Sequence, residues 1–123
     1  MEGSMRPWTL QAHEKLRHPS EFNRVKNSGR RCRTRHFLVN WRENGLDSHR
    51  LGMVVQKRFW KAVQRNRIKR CLREFFRHAK GNLPHPALDI VIVALPGAEK
   101  LQPQDIASEI DAILAGKEGR SSC

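Results

Sequence analysis

The chain has 123 residues, 38% of them hydrophobic, enough for one compact domain with a core of its own. Its longest apolar run, Ile90 to Leu95, is far below the roughly 20 residues of a bilayer-spanning helix, and Pro7 and Trp8 stand in an N-terminus without an apolar signal core, so a cytoplasmic protein with no membrane partner is expected. The net charge is +12 and local in origin: residues 1–80 hold 21 basic and 6 acidic side chains, residues 81–123 hold 3 and 6. That concentration points to a polyanionic partner, and the excess of Arg over Lys suits phosphate forks and base stacking better than the plainer alternative, a solubilising surface.

Residues 1–18 lack periodicity and read as a flexible or loosely docked arm. Pro19-Ser20-Glu21 marks a helix start with Ser20 as cap, Phe22 and Val25 share a face, and Asn27-Ser28-Gly29 ends the helix. Arg30, Arg31, Arg33 and Arg35 form a charged approach to a strand at His36–Trp41, where Phe37, Val39 and Trp41 alternate with Leu38 and Asn40. A turn at residues 43–47 leads to a second strand, Arg50–Val55. From Lys61 to Ala79, apolar side chains recur at Ile68, Cys71, Leu72, Phe75, Phe76 and Ala79, the stripe of an amphipathic helix, stopped by Gly81, Pro84 and Pro86. Leu88–Leu95 has the length and β-branching of a buried strand, ended by Pro96-Gly97. Pro103 opens a last helix with Ile106, Ile110, Ile113 and Leu114 on one side, and Gly116 closes it. Asp105 and Glu109 lie toward the positive end of its dipole, with no catalytic role indicated. The order helix, strand, strand, helix, strand, helix gives a single α/β sandwich over residues 19–116, with a disordered tail at 117–123 and a strand order left open.

Three cysteines without metal-ligand spacing make a disulfide framework or a zinc site unexpected, and Cys71 on the apolar stripe acts as a small hydrophobe. The six His are scattered, with no pair at i and i+4, which favours surface or RNA-contact roles over metal ligation. No Ser/His/Asp or Cys/His arrangement, acid pair or glycine-rich phosphate loop is visible, so the chain reads as a binder.

The long helix carries the functional signal. At roughly 100° per residue its apolar stripe takes an arc of about 140°. Arg65, Lys69, Arg73, Asn66 and Arg77 form a second arc beside it, Arg67 and Arg70 point further round, and Glu74 is the one acid. Lys57, Arg58 and Lys61 extend the patch toward the helix start. So cationic a helix repels itself until phosphates compensate it. Asn66 either contacts a base edge, sugar hydroxyl or backbone group, or faces water as an ordinary surface residue. Phe22 and Phe37 are either core residues or base-stacking platforms, and the residues alone leave both open.

Lys61-Ala62-Val63-Gln64-Arg65-Asn66-Arg67-Ile68-Lys69-Arg70-Cys71-Leu72-Arg73-Glu74-Phe75-Phe76-Arg77 resembles the signature segment of the bacterial ribonuclease P protein subunit. Phe22-Asn23-Arg24-Val25 with Gly29, Arg35 to Val39, Arg50 to Arg58 and Asp89 to Ala94 resemble that family's first helix and its strands, so the likeness covers about residues 16–115. The resemblance implies an α/β (α+β) two-layer sandwich with a small four-stranded mixed sheet and a left-handed crossover at the basic helix. It implies a protein that binds the ribonuclease P RNA and the 5′ leader of precursor transfer RNA, while the RNA, with Mg²⁺, cleaves the leader off. No cofactor of the protein itself and no DNA partner are implied. Carried over, Arg65, Arg67 and Arg70, with Lys57, Arg58 and Lys61, would engage the catalytic RNA. Phe22, Lys26, Arg35, Phe37, Asn66, Lys69 and Arg73 would contact the leader in a cleft between sheet and first helix. Lys26 stands where a second aromatic is frequent, Asn40 where a Tyr is common, and Trp60 at a site often Gly, so leader stacking and the loop before the helix differ here. A small ribosomal protein is the competing RNA-binding class. A major-groove DNA reader would need dimer symmetry or a helix-turn-helix pair, and neither is visible.

Overall fold

A computed structural model describes residues 14–16, 18–79, 83 and 86–115; of the expected arm at residues 1–18, residues 1–13 and 17 lie outside them, as do the expected helix stops at Gly81, Pro84 and Gly116 and the tail at 117–123. In chain order the elements are α1 (Pro19–Ser28), β1 (Arg30–Arg33), β2 (Phe37–Glu43), β3 (Arg50–Val54), α2 (Ala62–Ala79), β4 (Leu88–Ala94), a 3-10 turn at Ala98–Lys100 and α3 (Pro103–Ala115). The sheet order is β1-β2-β4-β3. β1, β2 and β4 are antiparallel neighbours, β3 runs parallel to β4, and α2 supplies the crossover between that parallel pair.

Strand alternation divides the sheet into two faces. Cys32, Val39, Ile92 and Met53 lie in one cross-strand row, and with Phe37, Trp41, Ile90 and Leu51 they meet Ile68, Leu72 and Phe76 of α2 and Ile106 and Ile110 of α3 in the main core. Full burial of Ile68, Leu72 and Phe76 stabilises the fold by about 1.5–3 kcal/mol apiece. The other face carries the rows Arg31–Asn40–Val91–Gly52 and Arg33–Leu38–Val93–Val54, and α1 lies on it. There Val25, Leu16, Val91 and Val93 are buried together, with Phe22, Leu38 and Val54 half-covered. The sandwich therefore carries α1 on one face and α2 with α3 on the other.

Several expectations change. Arg30–Arg33 is an edge strand, not an approach segment; only Cys32 of its four residues faces the core, so no alternation marks it. α1 begins at Pro19, one residue before the expected cap, and the Glu21 carboxylate accepts the His18 backbone N–H at 3.2 Å. Leu16 is buried and its N–H donates to the Leu51 carbonyl at 3.0 Å, so the chain is already docked before Pro19. His49 is a buried structural residue whose Nδ1 accepts the Leu88 N–H at 2.9 Å. Cys71 is a free, buried thiol, in keeping with its place on the apolar stripe.

Close approaches fix the packing of α1. A Cβ on Gly29 would stand 2.4 Å from the Trp41 carbonyl oxygen and 2.6 Å from that of Val25, so only glycine lets the helix end settle on β2. A Cβ on Gly52 would stand 2.7 Å from the edge of the Phe22 ring, which therefore lies over β3.

Polar side chains tie the layers together. Asp89, 5% exposed, accepts two bonds from Arg50, Nε at 2.8 Å and Nη2 at 2.7 Å, and a third from Asn44 Nδ2 at 2.9 Å. Arg50 also reaches Glu21 at 3.2 Å, joining α1 to the sheet, and its bonds to Asp89 raise its pKa further. Glu109 on α3 has a larger role than dipole compensation. Its carboxylate accepts the Thr34 hydroxyl, the His36 backbone N–H at 2.8 Å and a bond with His36 Nδ1 at 3.0 Å, stapling α3 to the β1–β2 turn. Burial alone would raise the Glu109 pKa, but these hydrogen bonds together hold it below its ordinary value.

Replacing Asp89 by Ala leaves the half-buried Arg50 guanidinium only its contact with Glu21 and is predicted to cost about 3 kcal/mol in urea unfolding. An unchanged midpoint would refute that role. A depressed carboxyl pKa stabilises the folded state above the unfolded value and loses that contribution as pH falls through the folded one. Glu109→Gln is therefore predicted to flatten the acid limb of the stability–pH curve below the ordinary value of 4.5, where wild type declines. An acid limb identical in both proteins would contradict the staple.

Candidate nucleic-acid interface

α2 is longer than the stretch that its core contacts require. The buried positions begin at Ile68, and Val63 in the first turns is 80% exposed, so the start of the helix stands out from the body. Gln64 Oε1 accepts the Lys61 backbone N–H at 3.1 Å and closes that start. Just before it, Lys57, Arg58 and Lys61 are exposed, and the Arg58 guanidinium lies 4.7 Å above the Phe59 ring centroid. Trp60 is buried, and its Nε1–H donates to Glu99 Oε1 at 2.7 Å. A large side chain here anchors the entry to α2 instead of leaving it loose.

The two flanks of the apolar stripe have different surroundings. α3 packs beside α2 and reaches β2, while α2 lies over β3 at the sheet edge. The flank with Cys71, Glu74 and His78 borders an open groove of about 520 Å³ against Pro103, Ala107 and Asp111 of α3. Arg67 belongs to this side. Its Nη1 donates to the Glu99 carbonyl at 3.3 Å and its Nη2 to the Leu101 carbonyl at 2.8 Å. Arg67, expected as an RNA contact, also clasps the segment after β4 to α2, a role the helix wheel does not show.

The opposite flank, toward the β3 edge, holds Arg65, Lys69 and Arg73, all half-buried, with Asn66 and Arg70 exposed further round. Arg65 Nε is buried without a hydrogen-bond partner. Burial pushes the Arg73 pKa down, and the charge of Arg70 adds to that. Glu74, the one acid of α2, does not relieve this strip: its carboxylate is held by Arg77 at 3.0 Å and His78 at 2.9 Å, near the far end. The Arg77 bond is the main cause of its lowered pKa. Arg65, Lys69 and Arg73 thus form a crowded, half-buried cationic flank.

The expected leader set is not gathered into one pocket. Phe22 and Lys26 stand one helical turn apart on α1, Phe22 half-buried over Gly52 and Lys26 exposed. Asn66, Lys69 and Arg73 stand on α2, on the opposite face of the sheet, Lys69 and Arg73 half-buried and Asn66 exposed. Arg35 is exposed in the β1–β2 turn, at the other edge of the sheet. Phe37 is 0% exposed on the main-core face beside α3, so it is a core residue and not a base-stacking platform. Asn40 is buried with its Oδ1 accepting Arg31 Nε at 3.3 Å and its Nδ2 without a partner. Sequence reasoning missed that orphaned donor and the Trp60–Glu99 anchor; Asn at an inward strand position was the available signal for the first. Among the described residues no group of three or more His, Cys, Asp or Glu side chains is placed to hold a metal ion, and no helix is long and apolar enough to cross a membrane.

Comparisons with known proteins agree with this architecture. A profile of the Ribonuclease P family matches residues 10–118. The ribonuclease P protein component of Syntrophobacter fumaroxidans is 56% identical over 120 residues, covering 98% of each chain. That of Syntrophus aciditrophicus is 38% identical over 110 residues, covering 89% of this chain and 92% of its own. The solved RNase P protein of Thermotoga maritima superposes with a TM-score of 0.75 at 33% identity, covering 86% of this chain and 99% of that one. The Staphylococcus aureus protein gives 0.76 at 29%, covering 85% and 95%. With a basic signature helix on a four-stranded mixed sheet, and with relatives matched from end to end, the chain belongs to the ribonuclease P protein family, an RNA-binding family of transfer-RNA processing.

Proposed function

We propose that this protein binds the ribonuclease P RNA and the 5′ leader of precursor transfer RNA, and thereby assists endonucleolytic removal of the leader in the cytoplasm. The observation that carries this reading is the flank of α2 where Arg65, Lys69 and Arg73 crowd together, half-buried, with Arg65 Nε buried without a hydrogen-bond partner. Neutralising phosphates there releases counterions, the main source of affinity for a polyanion. Arg65 and Arg70, with Lys57, Arg58 and Lys61 at the helix start, form the catalytic-RNA surface. Asn66, Lys69 and Arg73 of α2 and Phe22 and Lys26 of α1 supply the contacts to the leader. Mg²⁺ belongs to the RNA, where it supplies the hydrolytic chemistry; the protein's part is to bind and position.

Adding the protein to its partner RNA is predicted to raise precursor cleavage at low Mg²⁺, and a rate unaffected by protein would sink the assignment. Arg65→Ala with Arg70→Ala should weaken RNA binding and lower the slope of log K against log salt by about 1 per lost phosphate contact, with little change in thermal stability. Arg67→Ala should act the other way, costing about 2 kcal/mol of stability through the lost charge-assisted bonds to Glu99 and Leu101. Equal effects of both changes on unfolding would contradict the division of the two flanks.

A further inference from the structure

The arginines of β1 lie outside the helix surface, at the opposite edge of the sheet. Arg31 and Arg33 point to the α1 face, in register with Asn40 and Leu38, and both are exposed. Arg35 follows in the turn, also exposed. No ion pair engages Arg33 or Arg35 among the described residues, and the nearby Glu109 is committed to Thr34 and His36. From Leu38 beside this strip to Val54 and Phe22 at the β3 side, the sheet face carries apolar residues only partly covered. Under the strip lies the Asn40 amide, 1% exposed, its oxygen turned to Arg31 and its N–H donor unmatched. Arginines for phosphates beside apolar surface suit single-stranded RNA, whose bases are free to lie on a sheet.

We propose that Arg31, Arg33 and Arg35 form a second RNA-contact strip, over which the 5′ leader leaves the sheet by its β1 edge. This rests on the leader-binding reading above and extends it. β3 and β1 are separated by three strand spacings, about 14 Å, so a leader lying near Phe22 meets the strip only after crossing the sheet. The strip therefore acts on leader length: short leaders end before it and long ones gain from it.

The test compares reconstituted holoenzyme carrying wild-type protein, the triple variant Arg31→Ala/Arg33→Ala/Arg35→Ala, or the double variant Arg33→Ala/Arg35→Ala. The double variant spares the Arg31–Asn40 bond and so guards against misfolding. Affinities are measured for precursors with long and short leaders, for leaderless transfer RNA and for the catalytic RNA alone. Wild type should prefer the long leader to the short one. The triple variant should lose that preference, about tenfold, and its long-leader salt slope should fall by about 2, near 0.7 per single-strand phosphate, with the other affinities unchanged. The double variant should show the same pattern in smaller measure. An equal loss for long and short leaders, a loss confined to the catalytic RNA, or no loss overturns the strip. If wild type itself fails to distinguish precursor from leaderless transfer RNA, the leader-binding reading fails instead.

Discussion

The apolar stripe of α2 has to be buried against the sheet and α3, and that one requirement sets the direction of every basic side chain on the helix. With Ile68, Leu72 and Phe76 fixed inside, Arg67 must look toward α3 and Arg65, Lys69 and Arg73 toward the β3 edge. A helix of the same composition with a scrambled stripe would be equally charged and would present no coherent surface. The charge itself opposes helix formation, since few acids relieve it, so tertiary packing has to hold α2 together. The electrostatic strain that packing overcomes is also what a phosphate backbone relieves.

The parallel pair β3 and β4 depends on that crossover, and the two faces of the sheet then divide the work. One face is closed by α2 and α3. The other is closed only in part, by α1, whose seat relies on Gly29 meeting β2 without a side chain and on Phe22 lying over Gly52. The Arg50–Asp89 pair, with Glu21 and Asn44 joined to it, fixes the base of that arrangement. A rigid frame under an incompletely covered face suits the proposed binding of an extended strand, which it would hold without reshaping itself.

Much of this was legible from local pattern. The 3.6-residue period gave α2 almost to its boundaries, and the β-branched run gave β4, buried on both faces. β1 was hidden because an edge strand with one inward residue shows no alternation. Phe37 was ambiguous for a different reason. Its alternation with Val39 and Trp41 was visible, but both faces of this sheet carry a helix, so parity alone could not say which face was core. The unread roles of Arg67, Trp60, Asp89 and Glu109 share one cause: their partners lie 32 to 75 residues away, and no local spacing encodes such pairs.

The Arg67 clasp and the Trp60 anchor converge on one short stretch, Glu99 to Leu101, from two points on either side of the first turns of α2. A helix start that stands clear of the body would ordinarily fray, with its backbone bonds exchanging readily with solvent. Held at both points, it meets its partner already shaped, and little conformational entropy remains to be lost on association. Recognition by this end of the molecule is then a docking of preformed surfaces, with a heat-capacity change as small as the apolar area that contact removes from water.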